Sequence, residues 1–223
     1  LVSGVVAQEM AARGGDVTGR LAVVSGPNFA VEVARELPAG TVAASADADT
    51  ARFVQSALMT DRFRVWTSTD IIGVQLGGAL KNVIAIGAGI SDGLGMGHNA
   101  RATLITRGVA EITRLGAAMG ADPMTFAGVS GIGDLMLTCT GDLSRNRQAG
   151  LAIARGEAVD PNTTVEGVPT TKAAYALARE LGIDMPITEV VYRILFEGLS
   201  PAEGLERLMT RQPTSEQRLP GLT

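Results

Sequence analysis

A long apolar run, residues 71–90, carries a lysine at its centre: Lys81 is followed by Asn82, with Gln75 one and a half helical turns upstream. As a helix this segment reaches about 30 Å, the thickness of a bilayer's hydrocarbon core. A lysine at mid-membrane costs roughly 2.5–3.5 kcal/mol on insertion scales. The segment is therefore expected to be the buried helix of a globular protein rather than a membrane span, and the rest of the chain must wrap around it. Gly73, Gly77, Lys81, Ala85 and Gly89 recur at every fourth position and form one stripe of small residues broken by the lysine. Such a stripe ordinarily accepts a neighbouring helix. A lysine within it needs a partner or a task, because an ammonium is rarely buried alone. Spacing leaves two readings open for Lys81, a structural ion pair or a group that exchanges a proton with a substrate.

The 223 residues include 46% apolar and 19% charged side chains, with a net charge of −4. This balance is that of a globular chain with a real core, and it lacks the basic excess that a nucleic-acid surface requires. The single cysteine, Cys139, excludes an internal disulfide, which fits a reducing cytoplasm. The N-terminal LVSGVVAQEMAARGG has no basic leader or cleavage site and reads as a helix already under way. It starts with Leu1 rather than Met, so a truncated chain is expected.

Strand and helix signals alternate before residue 69. Residues 2–12 are expected to be helical and 21–24 a strand stopped by Ser25-Gly26-Pro27. A helix over 28–36 ends at Pro38 and Gly40. A strand over 41–45, a helix capped by Asp47 and a strand over 63–67 follow. Strands separated by helices predict a parallel α/β sheet. After Thr69 only helices are expected, at about 71–90, 99–119, 122–127, 131–137, 144–155, 170–181, 186–197 and 201–210. Asp122-Pro123 and the capping box Ser200-Pro201-Ala202-Glu203 mark two of their starts. The division is placed at 1–69, 70–211 and a flexible polar tail, 212–223.

Other residues could carry chemistry. Ser144 precedes Arg145 and Asn146 as an N-cap, and a helix start with an arginine beside it suits a phosphate, or is simply a capped surface helix. Ser25-Gly26-Pro27-Asn28 joins a strand to a helix, where Gly26 permits close approach and Asn28 could cap. It is either a ligand loop of the kind found at strand ends or an ordinary turn. Asp92 and Asp134, in SDGLG and GIGDL, could each partner Lys81. The only histidine, His98, lies in a loop; Cys139 has no nucleophile arrangement around it; no metal-ligand spacing occurs.

Over residues 20–200 the chain resembles the NAD(P)-dependent glycerol-3-phosphate dehydrogenases, most closely the bacterial biosynthetic type. The matching stretches are SGPNFAVEVARELPAGTVAAS (25–45), LGGALKNVIAIGAGISDGLGMGHNARATLITRG (76–108), GVSGIGDLMLTCTGDLSRNRQAG (128–150) and VEGVPTTKAAYALARELGIDMPITEVVYRILFEG (165–198). The combination of GALKN, GIGDL-x-LTC and SRNR in this order is what makes the resemblance specific. It implies an α/β remnant of a Rossmann-like parallel sheet over 1–69, then an all-α substrate domain of the 6-phosphogluconate dehydrogenase C-terminal-like type. It also implies the interconversion of sn-glycerol 3-phosphate and dihydroxyacetone phosphate with NAD or NADP, supplying glycerol 3-phosphate for phospholipid synthesis in the cytoplasm. The implied partner is a small phosphorylated substrate, and the resemblance leaves room for a homodimer.

By the same resemblance, Lys81 is the catalytic lysine at the C2 oxygen. Gly26, Asn28, Lys81, Asp134, Ser144, Arg145 and Asn146 are substrate-binding positions, and Ala30, Arg145, Thr164 and Glu166 are cofactor-binding positions. Relatives commonly carry Ser or Thr at the position of Asn28 and Val at that of Thr164. The family's opening strand with G-x-G-x-x-G, and a second substrate-contacting lysine upstream, do not occur in these 223 residues. The chain is thus expected to be the larger, C-terminal part of such an enzyme. Two alternatives are another β-hydroxyacid or ketoacid dehydrogenase of the same plan, and a helical fragment inactive without its nucleotide site.

Overall fold

A computed structural model describes residues 1–17, 19–159 and 163–212. The tail expected to be flexible lies, from residue 213 onward, outside the described residues. The apolar run forms a single helix, Ile71–Gly93, fourth of ten α-helices among the described residues and here called α4. Asp70 starts it: one carboxylate oxygen accepts from the Gly73 amide at 2.8 Å, the other from the Asp122 amide at 3.0 Å and the Thr125 hydroxyl at 2.6 Å. One side chain thereby caps α4 and ties it to the loop after the next helix. By length and composition α4 could cross a membrane, but 67% of its most apolar window is buried inside the protein.

The elements that bury it are α5 (Gly97–Ala118), α6 (Asp134–Thr140), α7 (Arg145–Ala154), α8 (Gly167–Leu181) and α9 (Pro186–Phe196), with α10 (Pro201–Met209) outside α9. A core of Leu80, Val83, Ile84, Ile86, Leu115, Phe126, Leu135, Ile187 and Val191, among others, fills the space between them. The small-residue stripe serves two different neighbours. A Cβ on Gly77 would meet the Ser130 carbonyl at 2.6 Å, and one on Gly93 the Ala154 Cβ at 2.6 Å. Gly89 lies against the backbone of Arg147, and a Cβ on Gly150 of α7 would come within 3.0 Å of the Gly89 Cα. The backbones of α4 and α7 therefore touch, which only glycine permits. Lys81 falls between these two contacts on the same stripe.

In the front part of the chain, α1 (Val2–Ala12), β1 (Val23–Ser25), α2 (Ala30–Ala34), β2 (Ala39–Ala44), α3 (Ala48–Leu58) and β3 (Phe63–Ser68) build a three-stranded sheet in the order β1-β2-β3. The pair β2–β3 is parallel, as expected, with Ala39 opposite Phe63 and Ala44 opposite Ser68. The pair β1–β2 is antiparallel, with Val23 opposite Ala44, and here the expectation of an all-parallel sheet is corrected. The connections explain it. The 11-residue α3 runs about 16 Å, enough to return the chain along a six-residue strand. The five-residue α2 covers only about 7.5 Å, so the strand that follows starts near where β1 ended and runs back beside it.

Start signals in the sequence appear as caps. Asp47 accepts from the Asp49 amide, Asp122 from Met124, Ser144 from Arg147 and Ser200 from Glu203, the last with the reciprocal bond of a capping box. Asn28 does not cap: the N-cap position of α2 is Phe29, and the Asn28 amide donates instead to the Thr41 hydroxyl at 3.1 Å. The segment expected as one helix over 131–137 divides into a π turn, Val129–Gly133, and α6. Such turns re-aim the residues that follow them, and here the residue that follows is Asp134.

Candidate active site

The ammonium of Lys81 donates to the Asp134 carboxylate at 2.6 Å. The two residues are 53 apart in sequence and meet because α6 packs across the first half of α4. Asp134 is buried, whereas a fifth of the Lys81 side chain reaches solvent. The pair is thus sealed on the carboxylate side and open on the amine side. Burial holds the Asp134 carboxyl above the ordinary carboxylate range, although Lys81, Thr138 and Ser25 all pull it down. The Thr138 hydroxyl, one turn along α6, donates to the Asp134 carbonyl at 2.6 Å and lies 3.4 Å from its carboxylate. Ser25 comes from the end of β1, where its hydroxyl also lies against Gly78 of α4, so a side chain at position 78 would displace it. The carboxylate therefore has its ammonium and two hydroxyls arranged around it, as a buried charge requires.

Next to the lysine on α4 begins a second polar chain. The Asn146 amide donates to Asn82 Oδ1 at 2.9 Å, and the Gly167 amide donates to Asn146 Oδ1 at 2.8 Å. Asn82 Nδ2 in turn lies 3.4 Å from Glu166 Oε2. Glu166 pairs with Arg145 at 3.5 Å, both more than half exposed. The starts of α7 and α8 are thereby bound to α4 one residue from Lys81. Ser144, 3% exposed, closes the first turn of α7 by accepting from the Arg147 amide. Gly167 is held close: a Cβ there would meet the Asn82 carbonyl and Asn146 Oδ1, each at 2.8 Å.

Of the residues singled out in the sequence, Lys81, Asp134, Ser144, Arg145, Asn146 and Glu166 thus gather in one region. Gly26 and Asn28 stand at its edge through the β1 loop, but each faces β2. A Cβ on Gly26 would strike the Thr41 Cα at 2.7 Å, so this glycine admits a neighbouring strand. Ala30 and Thr164 are exposed and take no part in the network. Asp92 is not the partner of Lys81. It binds Arg101 at 2.9 Å and Arg147 at 2.8 and 3.0 Å, locking the far end of α4 to α7. His98 contacts Arg101 at 2.7 Å at the exposed edge of this cluster. Burial pushes the Cys139 thiol up to about 12, which leaves it a core residue without thiolate character.

Ser25, Thr138 and Asn82 carry contacts here that were not assigned to them in advance. Asn82 had a signal, an amide in the middle of a greasy helix, and Thr138 had another, its place four residues after Asp134. Ser25 had none beyond its position in the strand-end loop. Glu111, fully buried on α5, also went unnoticed. It accepts from the Ile187 amide at 2.6 Å and from the Thr188 amide and hydroxyl at 3.2 Å, capping α9 from a neighbouring helix.

A small mixed sheet followed by a helical domain, with a lysine on the central helix against a buried carboxylate and a linked helix start beside it, defines the structural class. Comparison with known proteins gives the family. The profile of the NAD-dependent glycerol-3-phosphate dehydrogenase C-terminus matches residues 70–206, and that of the N-terminus matches residues 1–51. The chain belongs to the NAD-dependent glycerol-3-phosphate dehydrogenase family. It is 61% identical over 203 residues to the glycerol-3-phosphate dehydrogenase (NAD(P)+) of Symbiobacterium thermophilum, covering 89% of this chain and 59% of that protein. The enzyme of the same name from Geobacter metallireducens is 55% identical over 206 residues, covering 90% and 62%. The crystal structure of glycerol-3-phosphate dehydrogenase from Coxiella burnetii superposes with a TM-score of 0.82 at 44% identity, over 85% of this chain and 60% of that one. The chain spans about three fifths of the length of the curated relatives it matches.

Proposed function

We propose that the complete protein interconverts sn-glycerol 3-phosphate and dihydroxyacetone phosphate with NAD or NADP, and so supplies glycerol 3-phosphate for phospholipid synthesis in the cytoplasm. The observation that carries this reading is the Lys81–Asp134 pair, 2.6 Å apart and open only on the amine side, one residue from the polar chain that leads to the start of α7. Residues 1–69 form the end of the nucleotide-binding domain and 70–211 the substrate domain in this proposal. Assembly as a homodimer belongs to it as well, and sedimentation of the complete protein checks that part.

Lys81 donates a proton to the C2 oxygen in the reductive direction and takes it back in the oxidative one. Its ammonium also stabilises the developing alkoxide before the proton moves. Asp134 holds the amine in place and balances its charge, with Thr138 and Ser25 fixing the carboxylate. Ser144, Arg145 and Asn146 anchor the phosphate at the α7 start, away from the reacting carbon, so their binding energy serves orientation. Gly26 and Asn28 shape the loop at the edge of the substrate. The exposed Arg145–Glu166 pair fits one end of a dinucleotide: a charged fork and a carboxylate acceptor, both accessible, stand beside the lysine's neighbour Asn82. Arg145 and Glu166, with Ala30 and Thr164, would hold the cofactor there. The nicotinamide, when bound, supplies or takes up the hydride at C2, which no side chain can do.

The test is NADH- and NADPH-dependent reduction of dihydroxyacetone phosphate by the complete protein, with Lys81→Ala alongside. Loss of turnover in the variant, with its circular dichroism preserved, supports the proposal. Undiminished turnover overturns it. Arg145→Ala should weaken the phosphorylated substrate selectively, and equal weakening of an unphosphorylated analogue would contradict the phosphate assignment.

A further inference from the structure

The cleft between α9 and α10 is lined by Pro186, Glu189, Val190, Arg193, Arg207, Leu208 and Arg211 and has a volume of about 140 Å³. It is built by helical periodicity. On α9, Ile187 and Val191 turn toward Gly87 of α4, while Pro186, Glu189, Val190 and Arg193 occupy the opposite face. On α10, Gly204 lets the two helices close on each other, its missing Cβ leaving 2.9 Å to Val190 and 3.0 Å to Ile194. Arg193, Arg207 and Arg211 line the cleft beside that contact.

Their partners do not account for them. Arg193 Nη2 binds Glu189 at 2.6 Å and Arg211 binds Asp184 at 2.7 Å. Arg207 has no ion pair within 4.0 Å among the described residues; Glu203, to which it is nearest in effect, is occupied by the capping box. The Nε of Arg193 is the one buried side-chain nitrogen or oxygen among the described residues that finds no hydrogen-bond partner. A buried donor on a charged group is costly to leave unmade. Arg114 stands nearby as a further cation, its Nε and Nη2 donating to the Asp184 carbonyl at 3.0 and 2.9 Å. The lining itself carries three arginines against one carboxylate, Glu189, while Asp184 outside it pairs with Arg211 and the Glu203 carboxyl is held down by its bonds from Ser200 and by the charge of Arg207. A water takes up about 30 Å³ of liquid, so the cleft has room for a group of several heavy atoms.

We propose that this cleft is a binding site for a small oxyanion of the phosphomonoester class, held by Arg193, Arg207 and Arg211. A tetrahedral oxyanion offers acceptors in several directions at once, which suits three arginines carried on α9, on α10 and just past the end of α10. The site lies on the face of α9 turned away from α4 and Lys81, so it is separate from the phosphate anchor proposed at Ser144–Asn146.

Calorimetric titration of the full chain with inorganic phosphate, and separately with glycerol 3-phosphate, tests it in the Arg145→Ala background, which takes the proposed anchor out of play. One anion per chain should bind. Adding Arg207→Ala should raise the Kd about tenfold or more, the effect of losing one charge-assisted hydrogen bond, and Arg193→Gln should do the same. Arg207 is exposed and unpaired, so its replacement leaves the fold intact and keeps the test decisive if Arg193→Gln unfolds. Similar Kd values for both ligands would support the site and assign it to the phosphate group alone. Tighter binding of glycerol 3-phosphate would support it and assign it to that metabolite. No binding in the Arg145→Ala background, or binding that Arg207→Ala leaves unchanged, overturns the proposal. Neither result bears on the reading of Lys81, whose test is turnover.

Discussion

The two parts of the chain use apolar residues differently. In the helical part, Phe126 is 1% exposed and wedged against Gly116 and Gly131, and Leu115, Ile84 and Ile86 are wholly buried. In the front part, Phe53 is 73% exposed and α1 contains no buried residue at all, although it carries Val2, Val5, Val6 and Met10. The buried apolar side chains of the front part are small, Val42, Ala43, Ala44, Ala51 and Val65, and Val42 and Ala44 pack on Val74, borrowed from α4, with Val23 and Val129 beside them. Two hydrogen bonds between Ser3 and Gln75 fasten α1 to the helical part. The helical part is therefore the rigid frame of the candidate site, and the sheet contributes an edge to it through Ser25. Precision in placing Lys81 is expected to depend on the former, and changes in the latter should be felt weakly.

Removing the lysine breaks the comparison most sharply. Lys81→Ala in the complete protein should lower kcat by about 10²–10⁴, the usual contribution of a general acid or base. It should also lower stability by roughly 1–3 kcal/mol, because the buried Asp134 loses its charged donor and must take up a proton. Steady-state kinetics and chemical denaturation measure both, and a variant as active as its parent would remove Lys81 from the mechanism. Core truncation comes next. Phe126→Ala should cost about 3–5 kcal/mol, read as a fall in the denaturation midpoint, and a loss under 1 kcal/mol would show that the helical part is not the stable frame described.

The pH dependence of stability tests the same frame from α5. Burial pushes the Glu111 carboxyl up from 4.5 to about 7, against the pull of its bonds from Ile187 and Thr188 and the charge of Arg114. Between those two pH values the folded chain keeps a proton that the unfolded chain has lost. Stability therefore falls as pH rises through this window and levels off above it. At about 1.36 kcal/mol for each tenfold change in proton affinity, the fall from pH 4.5 to 7 comes to about 3 kcal/mol. Denaturation across that range should show it, and Glu111→Gln should flatten it; an unchanged slope in the variant would place the dependence elsewhere. The smallest effect belongs to the front part. Phe53→Ser should change stability by less than about 0.5 kcal/mol, and a loss comparable to that of Phe126→Ala would erase the contrast between the two regions.

Much of this structure could be read along the chain. The buried helix around Lys81 follows from an apolar run broken by one charge. The starts of α3, α7 and α10 follow from Asp47, Ser144 and Ser200, because a cap acts within three residues of itself. The motif resemblance groups Lys81, Asp134, Ser144, Arg145, Asn146 and Glu166, which the structure brings together, with Gly26 and Asn28 at their edge and with Ala30 and Thr164, which lie outside the network. Asn28 could have capped α2, but a hydroxyl across the sheet, on Thr41, takes its amide. Of the close approaches that Gly26 permits, the structure shows that of β2.

Local spacing thus determined which segments coil, where they begin and which residue types could exchange a proton or hold a phosphate. Packing decided the rest. It chose Asp134 over Asp92 as the lysine's partner, ran β1 against β2, set Glu111 at the start of α9 and turned three arginines into one cleft. Each of these depends on how two elements cross, and a crossing is set by the shapes of both surfaces together. No stretch of sequence on either element contains that information by itself.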